Sequence, residues 1–446
     1  MSIRRGDALG FRGASDYFAE LLAPGLSNNT SDARWISLLS WCLKWSHIAW
    51  QNAGGRDLTG RDEQRERYTW LRPLELLWVD RTLEAGQTTG QLRGRRSIER
   101  WRKNHRTPPN FAMSSDQFRR YRQVGTYGAY RVVLRTMPGL TTGDGWTPGD
   151  TSLKLACLVN DSLPGAARLR QEHFENGTQW GHWSKGKHVE YWAKHGWAEW
   201  EKSAGRGFLP TPDEAIRRPL PEEERQLLAP ALFPVDSIRR ITVGVLADVH
   251  SAKSHADLCD ALAQSSEIAK KLKLENASLA ALPAFSRFAD AAMHAMRGLW
   301  DEINRDGEKQ APSVEKLARL AEFKIRLEQL RKAAEDWLRS PGRSAFPHER
   351  AVTELAEAML KAGTSSDQIR VLSRHHYERG GGRRWFREDS GKLAPLMADT
   401  GIAASDYRFR LRALCLLAAQ CGVAKMDAAL NAMAKEAEDE EEKDYA

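Results

Sequence analysis

Apolar residues recur at helical spacing along most of the chain, and clusters of Gly and Pro cut that pattern into elements. Residues 15–23 predict a helix, opened by Ser15 and stopped by Pro24. A second helix follows the loop at 25–30. It carries Trp35, Leu38, Leu39, Trp41, Cys42, Trp45 and Ile48 at mostly three- and four-residue spacings, a buried stripe that ends at Gly54-Gly55. Residues 62–84 predict further helix with Leu71, Leu74, Leu76 and Leu77 as core candidates, and Pro73 kinks or splits it. Two short helices are expected at 118–123 and 127–137, separated by Gly125, then a Gly- and Pro-rich hairpin at 138–150 and a helix at 152–159. Helix, helix, hairpin is the order of a winged-helix module, placed here at 110–160; a plain loop between helices is the competing expectation.

The second half reads as helix throughout. Phe323, Leu330 and Trp337 repeat every seven residues, with Leu320, Leu327 and Ala334 on the complementary positions. Such a short seam favours packing inside the chain over an independent coiled coil. A late apolar helix is expected at 411–419. The fold class is therefore mainly α and multi-helical, with a winged-helix-like module in the N-terminal half and a helical bundle in the C-terminal half. Thirteen of the sixteen Trp precede a Pro-rich stretch holding Pro210, Pro212, Pro219 and Pro221, which argues for a boundary there. The expected organisation is a basic, Trp-rich helical domain at 1–209, a linker at 210–232, a bundle at 233–437 and an acidic tail at 438–446.

Composition narrows the class. A chain of 446 residues, 41% hydrophobic and 28% charged, has material for two or three cores and is not a disordered sequence. Its longest apolar run, 413–419, is far short of the ~18 residues that a spanning helix needs. The opening residues show no apolar leader, and five scattered cysteines without a CxxC argue against a disulfide framework or a zinc site. A cytoplasmic protein without membrane, metal or cofactor is expected. In the Trp-rich stretch 165–203, His188 and His195 lie near one face of a helix, but Glu190 is off that face, so packing against Trp is favoured over metal binding.

Charge changes the picture more. Between 93 and 135 lie twelve basic residues: Arg93, Arg95, Arg96, Arg100, Arg102, Lys103, Arg106, Arg119, Arg120, Arg122, Arg131 and Arg135. Only Glu99 and Asp116 oppose them, a net of +10 in a chain whose total is +8. Clustered guanidinium groups grip phosphate bidentately, and binding a polyanion releases its counterions. Trp101, Phe111, Phe118, Tyr121, Tyr127 and Tyr130 interleave with them. The alternative is a solvated face whose Arg residues pair with acids from elsewhere in the fold.

A second basic stretch, 370–392, sets Arg370, Arg374, Arg379, Arg383, Arg384 and Arg387 around Gly380, Gly381 and Gly382. Three glycines allow close backbone approach to a bulky anion, although the Lys-Ser/Thr pair of a P-loop is absent. The competing expectation is a hairpin whose Arg residues pair with Glu378, Glu388 and Asp389. Arg379, Arg383, Arg384 and Arg387 join the first stretch, from Arg93 to Arg122, as candidate nucleic-acid-binding residues. His375, His376 and Glu378 are acid–base candidates for a metal-independent nuclease. The R-x4-H spacing of Arg370 and His375 matches that of HEPN-type ribonucleases, but the same spacing occurs four times in the chain and carries little weight.

Two passages resemble a known family. Residues 21–35, Leu-Leu-Ala-Pro-Gly-Leu-Ser-Asn-Asn-Thr-Ser-Asp-Ala-Arg-Trp, are similar to an N-terminal signature of an uncharacterised bacterial family. His376-Tyr-Glu-Arg-Gly-Gly-Gly-Arg-Arg-Trp, with Asp406-Tyr-Arg-Phe-Arg, is similar to that family's C-terminal part. Its members are encoded in phage-defence gene clusters beside helicases, nucleases and methylases, and the resemblance implies no catalytic residues. The resulting expectation is a non-catalytic, nucleic-acid-binding subunit of an antiviral system, with double-stranded DNA favoured over RNA and other subunits as partners. A nuclease and an assembly scaffold are the rivals.

Overall fold

A computed structural model describes residues 7–52, 67–68, 70–72, 74–75, 78–79, 99, 103, 125–143, 145–163, 168–171, 220–305, 311–379, 384–396 and 407–433. The chain is mainly helical. In order, the main described elements, short helical turns such as Ser266–Leu272 and Asn276–Leu279 aside, are α1 (Arg12–Leu22), α2 (Ala33–Asn52), α3 (Thr126–Thr136), α4 (Asp150–Ser162), α5 (Glu222–Leu232), α6 (Ile238–Asp248), α7 (His255–Gln264), α8 (Leu282–Asn304), α9 (Val314–Arg319), α10 (Ala321–Arg339), α11 (Glu349–Lys361), α12 (Ser365–Arg379), a hairpin of β1 (Phe386–Asp389) and β2 (Lys392–Pro395), and α13 (Leu411–Gln420). Among the described residues no helix is long and apolar enough to cross a membrane. The expected helix at 118–123, the Trp-rich stretch from 172 on, the linker residues 210–219 and the acidic tail lie outside the described residues.

The chain forms two compact units, each discontinuous in sequence. One comprises Met1–Pro24, Ile241–Leu411 and Met426–Ala446; the other comprises Gly25–Arg240 and Arg412–Lys425.

In the first unit α10 packs against α8 and α11, α7 against α8, and α12 against α9, α11 and β1. The heptad positions Phe323, Leu327, Leu330, Ala334 and Trp337 are buried, so the seam is spent inside the chain, whereas Leu320 stands at the N-cap of α10. Phe18 stacks on Phe346 with ring centroids 4.8 Å apart, and Phe11, Phe285, Trp337 and Phe409 extend this aromatic core. Helix α1 starts three residues before Ser15. Asp7 accepts the Phe11 and Arg12 N–H groups at 3.0 and 2.8 Å, so the helix start is capped from upstream. The hairpin turns at Ser390 and Gly391, both at positive φ, as a two-residue type I′ connection requires.

In the second unit α2 packs on α4 and α3, and α4 also packs on α5. Trp41 donates its indole N–H to Asn160 at 3.2 Å and meets Trp78 edge-on. Burial on α2 goes beyond the expected stripe: Ile48 is only half-buried, while Arg34, Ser37, Ser40 and Ser46 are buried. Arg34 forms a buried ion pair with Glu224 of α5, and burial lowers its pKa to about 10. Residues 222–232, expected as linker, are therefore helix, with Leu228 and Leu232 fully buried. Pro221 at the N-cap followed by three glutamates is a helix start, because the fixed proline ring cannot extend a helix backwards and acids favour the positive end of the helix dipole.

Candidate functional site

Of the basic stretch 93–135, Lys103, Arg131 and Arg135 are described, and all three are exposed. Arg93, Arg95, Arg96, Arg100, Arg102, Arg106, Arg119, Arg120 and Arg122 lie outside the described residues. Arg131 and Arg135 are four apart on α3 and neighbour each other on its exposed side, while Tyr127, Tyr130, Val133 and Leu134 are buried. The chain after α3 folds back through an antiparallel bridge between Thr141 and Pro148. Its turn places Gly145, at φ +74, against the Arg135 side chain, where a Cβ would collide. Tyr127 and Tyr130, counted among the interleaved aromatics, are 2% and 1% exposed, so they serve the core rather than a stacking platform. The Tyr130 hydroxyl accepts the Asp32 N–H at 2.9 Å.

Below α3 lies a group that sequence reasoning missed. Gly125, the N-cap, has no side chain to satisfy the first N–H groups of the helix. Glu75 does so from a distance, its Oε1 accepting the Tyr127 N–H at 2.7 Å while the Tyr68 hydroxyl donates to Oε2 at 3.4 Å. The carboxyl is wholly buried, and burial pushes its pKa up to about 7 against the opposing pull of those hydrogen bonds and of Arg72. Arg72 lies over the Tyr68 ring at 4.2 Å, and Tyr127 stacks on Trp146 at 4.8 Å. The one signal available in the sequence was an acid set inside the apolar run Leu74-Glu75-Leu76-Leu77.

The stretch 370–387 is largely self-neutralised. Arg370 pairs with Glu315, with Asp367 at 3.4 Å and with Glu388 at 3.4 Å. Arg379 pairs with Glu354, and Arg387 reaches Asp389 at 3.5 Å. Arg384 donates to the Tyr377 carbonyl and stacks on the ring of Tyr377 at 4.4 Å. Arg383 and the three glycines lie outside the described residues. Arg374 is exposed on α12.

His375 and His376 are buried, whereas Glu378 is exposed, so the three do not converge. His375 Nε2 lies 2.8 Å from the Leu9 carbonyl. His376 accepts the Trp385 N–H on Nε2 at 2.9 Å, which fixes the tautomer whose Nδ1–H donates to the Ala8 carbonyl at 2.8 Å. Burial lowers the pKa of both, that of His376 to about 4, so His376 is held neutral.

A third buried His occupies the same unit. His255 Nδ1 lies 3.1 Å from the Ser286 hydroxyl and near Cys259 one turn along α7. Burial lowers the His255 pKa to about 3 and raises that of Cys259, the reverse of an activated thiolate–imidazolium pair. Among the described residues no cluster of three or more His, Cys, Asp or Glu has the arrangement of a metal site. No protein-family model, curated protein or solved structure matches the chain.

Proposed function

We propose that this chain is a non-catalytic, nucleic-acid-binding subunit of a bacterial antiviral system, working in the cytoplasm with other subunits as partners. The observation that carries the reading is the net charge of +10 confined to residues 93–135. Lys103 and Arg131, exposed and in no ion pair among the described residues, support it. The stretch 370–387 lends less support, since the charge of its described Arg residues other than Arg374 and Arg384 is offset by neighbouring acids. Duplex DNA is favoured over RNA because a helix bearing exposed Arg fits the wide major groove of B-form DNA, not the narrow major groove of A-form RNA. In this reading α3 acts with the turn at 137–149 as a wing. The non-catalytic reading is supported by His375, whose Nε2 is held by the Leu9 carbonyl at 2.8 Å, and by His376, both of whose ring nitrogens are held by backbone groups at 2.8–2.9 Å.

Fluorescence anisotropy with a labelled DNA duplex tests this. The fourfold variant Arg95→Ala, Arg96→Ala, Arg100→Ala, Arg102→Ala is expected to bind roughly tenfold more weakly or worse, from lost phosphate contacts. Labelled DNA and RNA are expected to stay intact on incubation with the pure protein. Unchanged affinity contradicts the reading, and cleavage moves it to the nuclease alternative.

A further inference from the structure

At the start of α1 the first unit contains a cavity of about 320 Å³. Gly10, Gly13, His348, Arg350, Glu354 and Arg379 are among the residues that line it. The two glycines are bare backbone by necessity. Gly10 sits at φ +72, where a Cβ would come within 2.7 Å of the Arg379 carbonyl oxygen, and a Cβ at Gly13 would lie 3.2 Å from His348 Nδ1. Asp7 already accepts the Phe11 and Arg12 N–H groups, and the cationic groups of the lining are Arg350 and Arg379.

Two guanidinium groups converge on one carboxylate. Arg350 Nε donates to Glu354 Oε1 at 2.9 Å, and Arg379 Nη2 donates to Oε2. Each arginine has five N–H donors and spends one in this way, so most of the fork of each remains for another acceptor. The guanidinium groups also hold the Glu354 carboxyl below its ordinary range, which keeps it ionised as a hydrogen-bond acceptor. Cationic forks beside a fixed acceptor suit a molecule that brings a phosphate to the arginines and a hydroxyl to Glu354. The volume lies at the small end of ligand pockets.

We propose that this cavity binds a phosphate monoester with a neighbouring hydroxyl, either a free mononucleotide or sugar phosphate, or the 5′-phosphorylated end of a nucleic-acid strand. The proposal stands apart from the role given to residues 93–135. Isothermal titration calorimetry on the full chain tests it with two pairs of probes: adenosine 5′-monophosphate against adenosine, and a 5′-phosphorylated against a 5′-hydroxyl oligonucleotide. Phosphate-dependent binding is expected in at least one pair. If only the nucleotide shows it, the ligand is a free phosphomonoester; if the oligonucleotide shows it and adenosine 5′-monophosphate competes, it is a strand end. Arg350→Ala removes a side chain that is 89% exposed, so the fold is preserved. That variant is expected to weaken the phosphate-dependent binding roughly tenfold. Arg379→Ala should weaken it as well. Binding that ignores the 5′-phosphate in both pairs, no binding of any probe, or full retention in Arg350→Ala overturns the proposal.

Discussion

Glu75 is a wholly buried carboxyl, kept in place by the Tyr127 N–H and the Tyr68 hydroxyl. Its pKa in the fold, about 7, exceeds the ordinary 4.5 of an unfolded chain, so folding favours the protonated form. The resulting contribution is complete below 4.5, declines as the pH rises through about 7, and is absent above that. A shift of this size is worth up to roughly 3 kcal/mol. Glu75→Gln keeps an acceptor for Tyr127 without the titration, so the variant is expected to match the wild type near pH 5 and to exceed it near pH 8. Urea denaturation at the two pH values reads the difference, and parallel behaviour of the two proteins would remove Glu75 from the account. Residue types were legible in the sequence, but their hydrogen-bond partners were not. His375 and His376 look like acid–base chemistry until Leu9, Ala8 and Trp385 are found holding them across more than three hundred residues or a chain turn. Within the passages that carry the resemblance, Trp385, Tyr407 and Phe409 are core residues, at 2%, 4% and 1% exposure.

Elements were legible wherever periodicity was long or turn chemistry was local. Helices expected at 127–137 and 152–159 correspond to α3 and α4, bounded by Gly125 and Gly149 at their N-caps. The start of α1 was not legible, because its cap comes from Asp7, five residues before the helix, rather than from a residue at the boundary. The Ser390-Gly391 turn was local but overshadowed by the three glycines before it. The seam of α10 gives a direct test. Leu330 is wholly buried, and Leu330→Ala is expected to cost about 2–5 kcal/mol through lost burial and a residual cavity. Ile325 lies on the outer face at 60% exposure, and Ile325→Ala should stay within about 0.5 kcal/mol. Equal losses at the two positions, measured by chemical denaturation, would mean that α10 does not bury the face described.

Across the whole molecule, the break in composition near 210–232 lies close to the crossing at Arg240, where one compact unit gives way to the other. The crossings at Pro24 and Arg412 leave no such trace, because a strand of chain returning to a core has the composition of any core segment. Charge is different, since it acts through space and can be summed before the fold is known. The account therefore rests on the +10 stretch holding a polyanion. Its most direct test is the slope of log affinity for a DNA duplex against log salt concentration, compared between the wild type and the Arg95/Arg96/Arg100/Arg102 alanine variant. Each phosphate contact contributes about 0.9 to that slope, so the wild type should fall steeply and the variant more gently, by up to about 3.6. Two lines of equal slope would contradict it.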